Sequence, residues 1–242
     1  MKIIPFGRSL IQLARFAALF PVNCYLVRED DGLTLIDTGL PGSARAILDV
    51  ARGVGAPIRR IALTHAHGDH VGALDALHAA LPKSEVLITA RDARFLRGER
   101  SLDPDEPRAK LRGSYRTCKT RPTREIAPGD RVGSLEVVAA PGHTPGHAAF
   151  FDPRNRTLIA GDAFQTRGGI AIAGVVRPLF PFPALATWHL PTALESARAL
   201  RALEPARLAV GHGVVLDAPL RAMDEAIAAA EQRAGVRDHR VA

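Results

Sequence analysis

The sequence predicts a mixed fold of the α/β (α+β) class, on three observations. Strand-like apolar runs come mainly in pairs joined by short turns, which favours hairpins. Segments of helical period are interspersed with them through both halves. The 242 residues, 47% hydrophobic and 24% charged, suit one globular domain over 1–242 that can bury a sizeable core. Two mixed sheets packed together with helices outside would satisfy the pattern, although periodicity by itself goes no further than α/β or α+β.

Residues 2–6 read as a short strand. Residues 8–20 stay open: Leu10, Leu13 and Phe20 trace a loose helical stripe, but Gln12 and Arg15 leave the period unsettled. Residues 23–28 and 33–37 form a hairpin around Glu29-Asp30-Asp31-Gly32, since Asp-Gly between apolar runs is a strong turn signal. Ser43 is placed to cap a helix that runs to about Arg52. Residues 58–63 are a strand, 74–80 a helix stopped by Pro82, 86–89 a strand and 90–96 a short helix. Residues 98–124 show no period and read as a long irregular insertion. One or two strands follow over 131–140, then a hairpin of 148–152 with 157–160. Residues 163–187 are a loop rich in Gly and Pro. A helix over 192–203, a strand over 208–210 and a closing helix over 218–234 complete the chain.

Composition excludes several classes. No apolar run reaches the ~18 residues of a membrane span, so no membrane partner is expected. Lys2 opens the N-terminus, but Arg8 and Arg15 interrupt the apolar stretch and no small-residue cleavage site closes it. A cytoplasmic location is expected on that ground. Two distant cysteines make neither a disulfide framework nor a zinc knuckle. Cys24 reads as buried among Val22, Tyr25 and Leu26. Cys118, in a basic stretch, reads as exposed and a candidate reactive thiol. The net charge is +7, but the excess is Arg-biased and scattered, densest from Arg91 to Arg124. It reads as a solvated basic surface, ahead of a rim for an anionic substrate and well ahead of nucleic-acid binding. The expected partner is a small molecule, and a homodimer stays open.

Thr64-His65-Ala66-His67-Gly68-Asp69-His70 places four potential metal ligands within six residues, between an apolar strand and a helical segment. Imidazole and carboxylate suit zinc and similar divalent ions. In a tight turn His65 and His67 can converge on one ion while Asp69 and His70 face a second. His143 and His212 sit in glycine-flanked loops after strands, and Asp162 follows another apolar strand. A run of four ligands has no simple packing explanation.

Together, His-x-His-x-Asp-His, then Gly-His-Thr-x-Gly-His, then Gly-Asp, then Gly-His-Gly resemble the metallo-β-lactamase superfamily. The similarity extends from Asn23-Cys24-Tyr25-Leu26 through Ile36-Asp37-Thr38-Gly39 to Gly211-His212-Gly213. The resemblance implies a four-layer αββα sandwich. It implies two divalent cations, zinc first with manganese or iron as alternatives, held by His65, His67 and His143 and by Asp69, His70 and His212, with Asp162 between. It implies that Asp37 orients the ligand loop from behind, that His147 is a buried support, and that a hydroxide shared by the two ions attacks the substrate. Asp69 would orient that hydroxide and carry the proton to the leaving group.

Fold does not decide the reaction. Asp162 and His70 set the chain apart from dedicated antibiotic-cleaving enzymes of similar pattern. The rest resembles the glyoxalase II and lactonase branches, which cleave thioesters and cyclic esters. The tyrosine that lactonases of this type carry beside the metals has no counterpart after Asp162, since the chain holds only Tyr25 and Tyr115. Arg167-Gly168-Gly169 faintly resembles mononuclear-iron persulfide dioxygenases, and the positive charge alone would suit a phosphodiesterase. Substrate choice is expected from residues 98–124 and 163–190. Phe164, Phe180, Phe182, Trp188 and His189 of the second segment are candidate pocket residues.

Overall fold

The computed structural model describes residues 1–235. Its first sheet has seven strands in sequence order: β1 (Lys2–Phe6), β2 (Leu10–Arg15), β3 (Val22–Glu29), β4 (Gly32–Ile36), β5 (Ile58–Ala62), β6 (Glu85–Thr89) and β7 (Arg124–Ile126). The first four pair antiparallel through tight connections. From β4 onward the pairs are parallel, and parallel neighbours need crossovers. These are supplied by α1 (Ala44–Val54), by α2 (Gly68–Val71) with α3 (Leu74–Ala80), and by α4 (Ala90–Leu96) with the irregular insertion.

The second half builds a six-stranded sheet. It comprises β8 (Arg131–Val132), β9 (Leu135–Ala139), β10 (Ala148–Asp152) and β11 (Thr157–Ile159). After a small ribbon of β12 (Phe164–Gln165) and β13 (Ala171–Ile172), β14 (Arg207–Ala209) and β15 (Leu216–Asp217) add to the far edge. The helices of this half are α5 (Phe182–Leu185), α6 (Leu190–Ala202) and α7 (Leu220–Ala234). No helix of the described residues is long and apolar enough to cross a membrane.

Three separate cores define the layers. In the first sheet Leu26, Leu33, Leu35, Ile61 and Val86 pack outward against Ile47, Leu74 and Phe95 of the helices. Their strand neighbours Tyr25, Val27, Ile36, Ala62 and Leu87 face inward, against Val137, Phe150 and Ile159 of the second sheet. The second sheet's opposite face, with Ala149, Leu158 and Leu208, packs on Leu194, Leu200 and Met223 of α6 and α7. Strands buried on both faces read as continuous apolar runs rather than alternation. The order helix, sheet, sheet, helix is the four-layer αββα sandwich.

Several expectations are corrected. The open segment 8–20 is strand β2 followed by a turn. Gln12 hid the alternation because it is a buried polar residue on the inner face, its Nε2 donating to the Gly213 carbonyl at 3.1 Å. Ser43 sits at the α1 N-terminus without capping it; its Oγ accepts instead from the Arg15 guanidinium at 3.0 Å. The loop over 163–187 contains the β12–β13 ribbon and α5. Cys118 is buried, packed in the outer core of the first sheet rather than exposed.

The insertion is irregular but tied down. Arg91 on α4 makes a two-pronged pair with Glu106 at 2.6 and 2.7 Å, and Arg94 pairs with Asp103. At the other end Asp75 of α3 accepts the N–H groups of Lys119 and Thr120. Arg91 and Arg94 are thereby neutralised by acids of the insertion itself.

Candidate metal centre

The ligand-bearing loops meet at one edge of the sandwich because their strands point the same way. β4 and β5 are parallel. β9, β11 and β14 share one direction, since β10 lies antiparallel to both β9 and β11 while β14 is parallel to β11. Asp37, the His65–His70 segment, His143, Asp162 and His212 all follow the C-terminal ends of these strands. The two sheets are stitched there by Ala148 N–H donating to the Thr64 carbonyl (2.9 Å) and Asn23 N–H to the Gly211 carbonyl (2.9 Å).

The seven candidate ligands converge. His65, His67 and His143 bring ring nitrogens together, and Asp69 brings a carboxylate oxygen to the ring nitrogens of His70 and His212; each set falls within 4.8 Å. Asp162 faces both: one carboxylate oxygen lies 3.3 Å from His143 Nε2 and 3.2 Å from His212 Nε2, the other 3.4 Å from His70 Nε2. Asp69 lies 3.3 Å from His212 Nε2. All but Asp69 are buried.

Outer hydrogen bonds fix the imidazole tautomers. His212 Nδ1 donates to the Pro21 carbonyl (2.7 Å) and His70 Nδ1 to Asp37 (2.8 Å). Thr64 gives its own hydroxyl proton to Asp37 (2.8 Å), so it accepts from His65 Nδ1 (2.9 Å). Thr187 gives its proton to the Pro183 carbonyl and accepts from His143 Nδ1 (3.1 Å). His67 is reversed, with Nε2 donating to the Arg112 carbonyl at 3.0 Å. In its neutral form every ring therefore turns a bare nitrogen inward. His67 Nδ1 and His143 Nε2 face each other at 3.0 Å with no proton left to share between them. His65 Nε2, His70 Nε2 and one Asp162 oxygen are buried without any partner. Buried acceptors pointing at one another are costly; cations between them remove the cost. The donor set fits divalent metal.

Charge divides the cluster. Burial opposes ionisation of His212, yet Asp162 and Asp69 lift its pKa to about 10. His70 is likewise buried and likewise raised, by Asp162, Asp37 and Asp69. Burial, reinforced by neighbouring imidazoles, pushes His65 and His143 well down, and burial lowers His67 to about 4. Asp162 is held well below the carboxylate range by His212 and His70 despite its burial. Neutral imidazoles and ionised carboxylates are the forms that ligate, so a cation binding at His70 and His212 must displace the protons these rings hold.

Supporting residues lie behind. Asp37 holds Thr64 N–H, Thr64 Oγ1 and His70 together. His147 Nε2 accepts the Asp162 N–H at 3.1 Å, and its ring stacks on His65. Asp92, which sequence reading passed over, is fully buried. It accepts from Ala66 N–H (2.9 Å), Thr144 Oγ1 (2.8 Å) and Gly146 N–H (2.8 Å), clamping the His65–His67 turn to the His143–His147 loop. A charged residue beside Ala93, Phe95 and Leu96 on the buried side of a short helix was its available signal.

A cavity of about 750 Å³ opens over the ligands. Of the candidate pocket residues only Phe182 lines it. Phe164 is fully buried in the core under α6 and α7. Phe180 is buried behind Phe182, 5.4 Å away between ring centroids. Trp188 is buried with Nε1 donating to the Ala109 carbonyl. His189 caps α6, its ring accepting from Thr192 N–H. Apolar residues next to a site filled the layer beneath it. Tyr115 does lie beside the candidate ligands, its ring 4.7 Å from that of His67, reached from the insertion rather than from beyond Asp162. Phe20, Leu40 and Pro41 also line the cavity, and nothing in their local sequence marks them. Arg167 lies on a different surface, donating to the Ala18 carbonyl.

Known proteins give the same reading. The chain matches the metallo-beta-lactamase superfamily over residues 17–212. It is 49% identical to the uncharacterized protein YobT of Bacillus subtilis over 93% of this chain and 97% of that one. It is 33% identical to the probable metallo-hydrolase YflN of the same organism, over 79% of this chain and 80% of the relative. A hydroxyacylglutathione hydrolase of Stenotrophomonas maltophilia is 29% identical over 65% of this chain, which spans about half (52%) of that enzyme. The crystal structure of TTHA1623 in a di-iron-bound form superposes with a TM-score of 0.65 and 27% identity, covering 92% of this chain and 97% of the other. With the family matched across most of its length and the αββα sandwich and ligand cluster in place, this chain belongs to the metallo-β-lactamase superfamily.

Proposed function

We propose that the chain is a hydrolase that holds two divalent cations and cleaves an ester, lactone or thioester of a small-molecule substrate. The observation that carries the reading is the set of five hydrogen-bonded imidazoles and two carboxylates gathered into adjoining groups beneath a 750 Å³ cavity. His65, His67 and His143 would hold one ion and Asp69, His70 and His212 the other, with Asp162 serving both. Zinc is the first expectation; the di-iron form of a structural neighbour keeps iron in view, and manganese shares the donor preference. The hydroxyacylglutathione hydrolase relatives favour a thioester.

Bound there, the two cations supply a water acidic enough to attack near neutral pH and polarise the substrate carbonyl. The chain's own residues do the rest. Asp69, the candidate ligand that is not fully buried, lines the cavity; it accepts a hydrogen bond from the attacking water and passes its proton to the leaving group. Asp37 and His147 hold His70 and the Asp162 loop in place.

The test is metal content of protein purified without added metal, followed by turnover of a lactone, a thioester and a phosphodiester. About two ions per chain with ester or thioester cleavage is the expected result. Cleavage of the phosphodiester alone, or one iron per chain with oxygen uptake on a persulfide, would overturn it.

A further inference from the structure

The cavity has two unlike walls, and each faces a different part of the metal centre. Above His212 the wall is apolar. Phe20 packs against Phe182 at 5.0 Å between centroids and against His212 at 5.6 Å. Pro183 and Ala186 extend this wall. Its surface continues outward: Phe182 is 52% exposed, Leu185 56%, and Leu19 and Leu179 84% each. Exposed apolar side chains beside a cleft suit contact with an apolar ligand. The turn that presents Phe20 is strained, because Phe16 holds φ at 51°, a left-handed backbone that bulky residues avoid. The Phe16 carbonyl nevertheless accepts the N–H groups of both Leu19 and Phe20.

Above His67 the wall is polar and carries one cation. It is the insertion segment Ser114 to Thr117, locked down by Gly68 N–H donating to the Ser114 carbonyl at 2.6 Å. Arg116 is exposed here and is the one Lys or Arg side chain among the described residues lining the cavity. Arg91, Arg94 and Arg97 nearby are all paired with carboxylates. The Arg116 guanidinium has neither an ion pair nor a hydrogen bond among the described residues; its backbone carbonyl accepts from Cys118 Sγ. Asp75, whose carboxyl Arg116 helps to hold down, is already engaged by two backbone N–H groups. An exposed arginine on the cavity wall whose guanidinium makes no hydrogen bond is suited to a planar anion.

We propose that the cleft selects an ester or thioester with an apolar chain on one side of the scissile carbonyl and an anionic group on the other. The anion meets Arg116 over His67, and the chain lies on Phe20 and Phe182 over His212. This rests on the hydrolase reading for the reaction, but the cleft's preference is separable from it. Phe182 sets chain preference and Arg116 sets charge preference.

The test uses matched compounds. S-octanoyl mercaptopropionate is compared with its neutral amide and with S-acetyl mercaptopropionate, reading released thiol on the metal-loaded protein. The wild type should favour the octanoyl carboxylate over its amide about tenfold in kcat/KM, the scale of one charge-assisted hydrogen bond. That ratio should collapse in Arg116→Ala and invert in Arg116→Glu. Phe182→Ala should cut the preference for octanoyl over acetyl about tenfold, as expected for losing contact with a few methylenes. In parallel, calorimetry measures binding of the uncleavable thioether octylthiopropionate. No thioester turnover, with thioether binding that still weakens in both variants, would sink the hydrolase reading and leave the cleft assignment standing. Turnover without dependence on charge or chain, or thioether affinity equal in wild type and Arg116→Glu, would overturn the cleft assignment.

Discussion

Replacing Gly113 with alanine should loosen the candidate metal centre without unfolding the chain. Gly113 has φ of 88°, and a methyl group added there falls inside 3 Å of three ring atoms of His67. Restoring ordinary contact needs a relative shift of roughly 1 Å. That shift breaks the 3.0 Å bond from His67 Nε2 to the Arg112 carbonyl, which fixes the His67 tautomer. Losing an outer partner of a ligating imidazole weakens metal affinity about 10- to 100-fold. The left-handed backbone adds about 1–2 kcal/mol of strain for a residue with a side chain. Gly98 is the control. It lies in the same insertion at φ of 90°, but an added methyl meets Thr117 Oγ1 at 3.2 Å and no ligand. Gly98→Ala should therefore cost similar stability and keep wild-type affinity. Chelator competition measures affinity and urea denaturation measures stability. Equal affinity in Gly113→Ala and Gly98→Ala would refute the reasoning, because backbone strain alone would then account for both.

Three further predictions follow from the same geometry. Asp92→Ala leaves the Ala66 and Gly146 N–H groups buried and unpaired, at about 1–3 kcal/mol each; a urea midpoint within error of wild type would remove Asp92 from its clamping role. Burial, with Asp75 nearby, raises the Cys118 thiol from 9.0 to about 11. Native protein at pH 8 should thus react with a disulfide reagent about 100-fold more slowly than an ordinary thiol from ionisation alone. The rate should climb with pH toward about 11. Labelling as fast as in urea would contradict the buried placement. Asp69→Asn and His67→Ala should each abolish turnover while far-UV circular dichroism stays native, Asp69→Asn with less loss of bound metal; normal turnover in either would sink the assigned roles.

The sequence by itself determined most of the longer strands and helices and the list of candidate ligands. Apolar runs and Asp-Gly turns are local signals, and four ligands in six residues, His65 to His70, have no packing explanation. His143, Asp162 and His212 were legible because each follows an apolar strand, and parallel strand ends bring such loops to one edge. Only the tertiary structure decided what lies one step away. Pro21 and Arg112 act through backbone carbonyls, which leave no residue-type trace. Gln12 broke the alternation of β2 because its amide is satisfied by Gly213, 201 residues distant in sequence. Phe164, Trp188 and His189 lie close to the site in sequence, but whether an aromatic lines a cavity or fills the layer beneath depends on packing across sheets. Tyr115, Arg116 and Phe20 reach the cavity through an aperiodic insertion and a strained turn. Their placement is set by long-range hydrogen bonds and ion pairs rather than by any local preference.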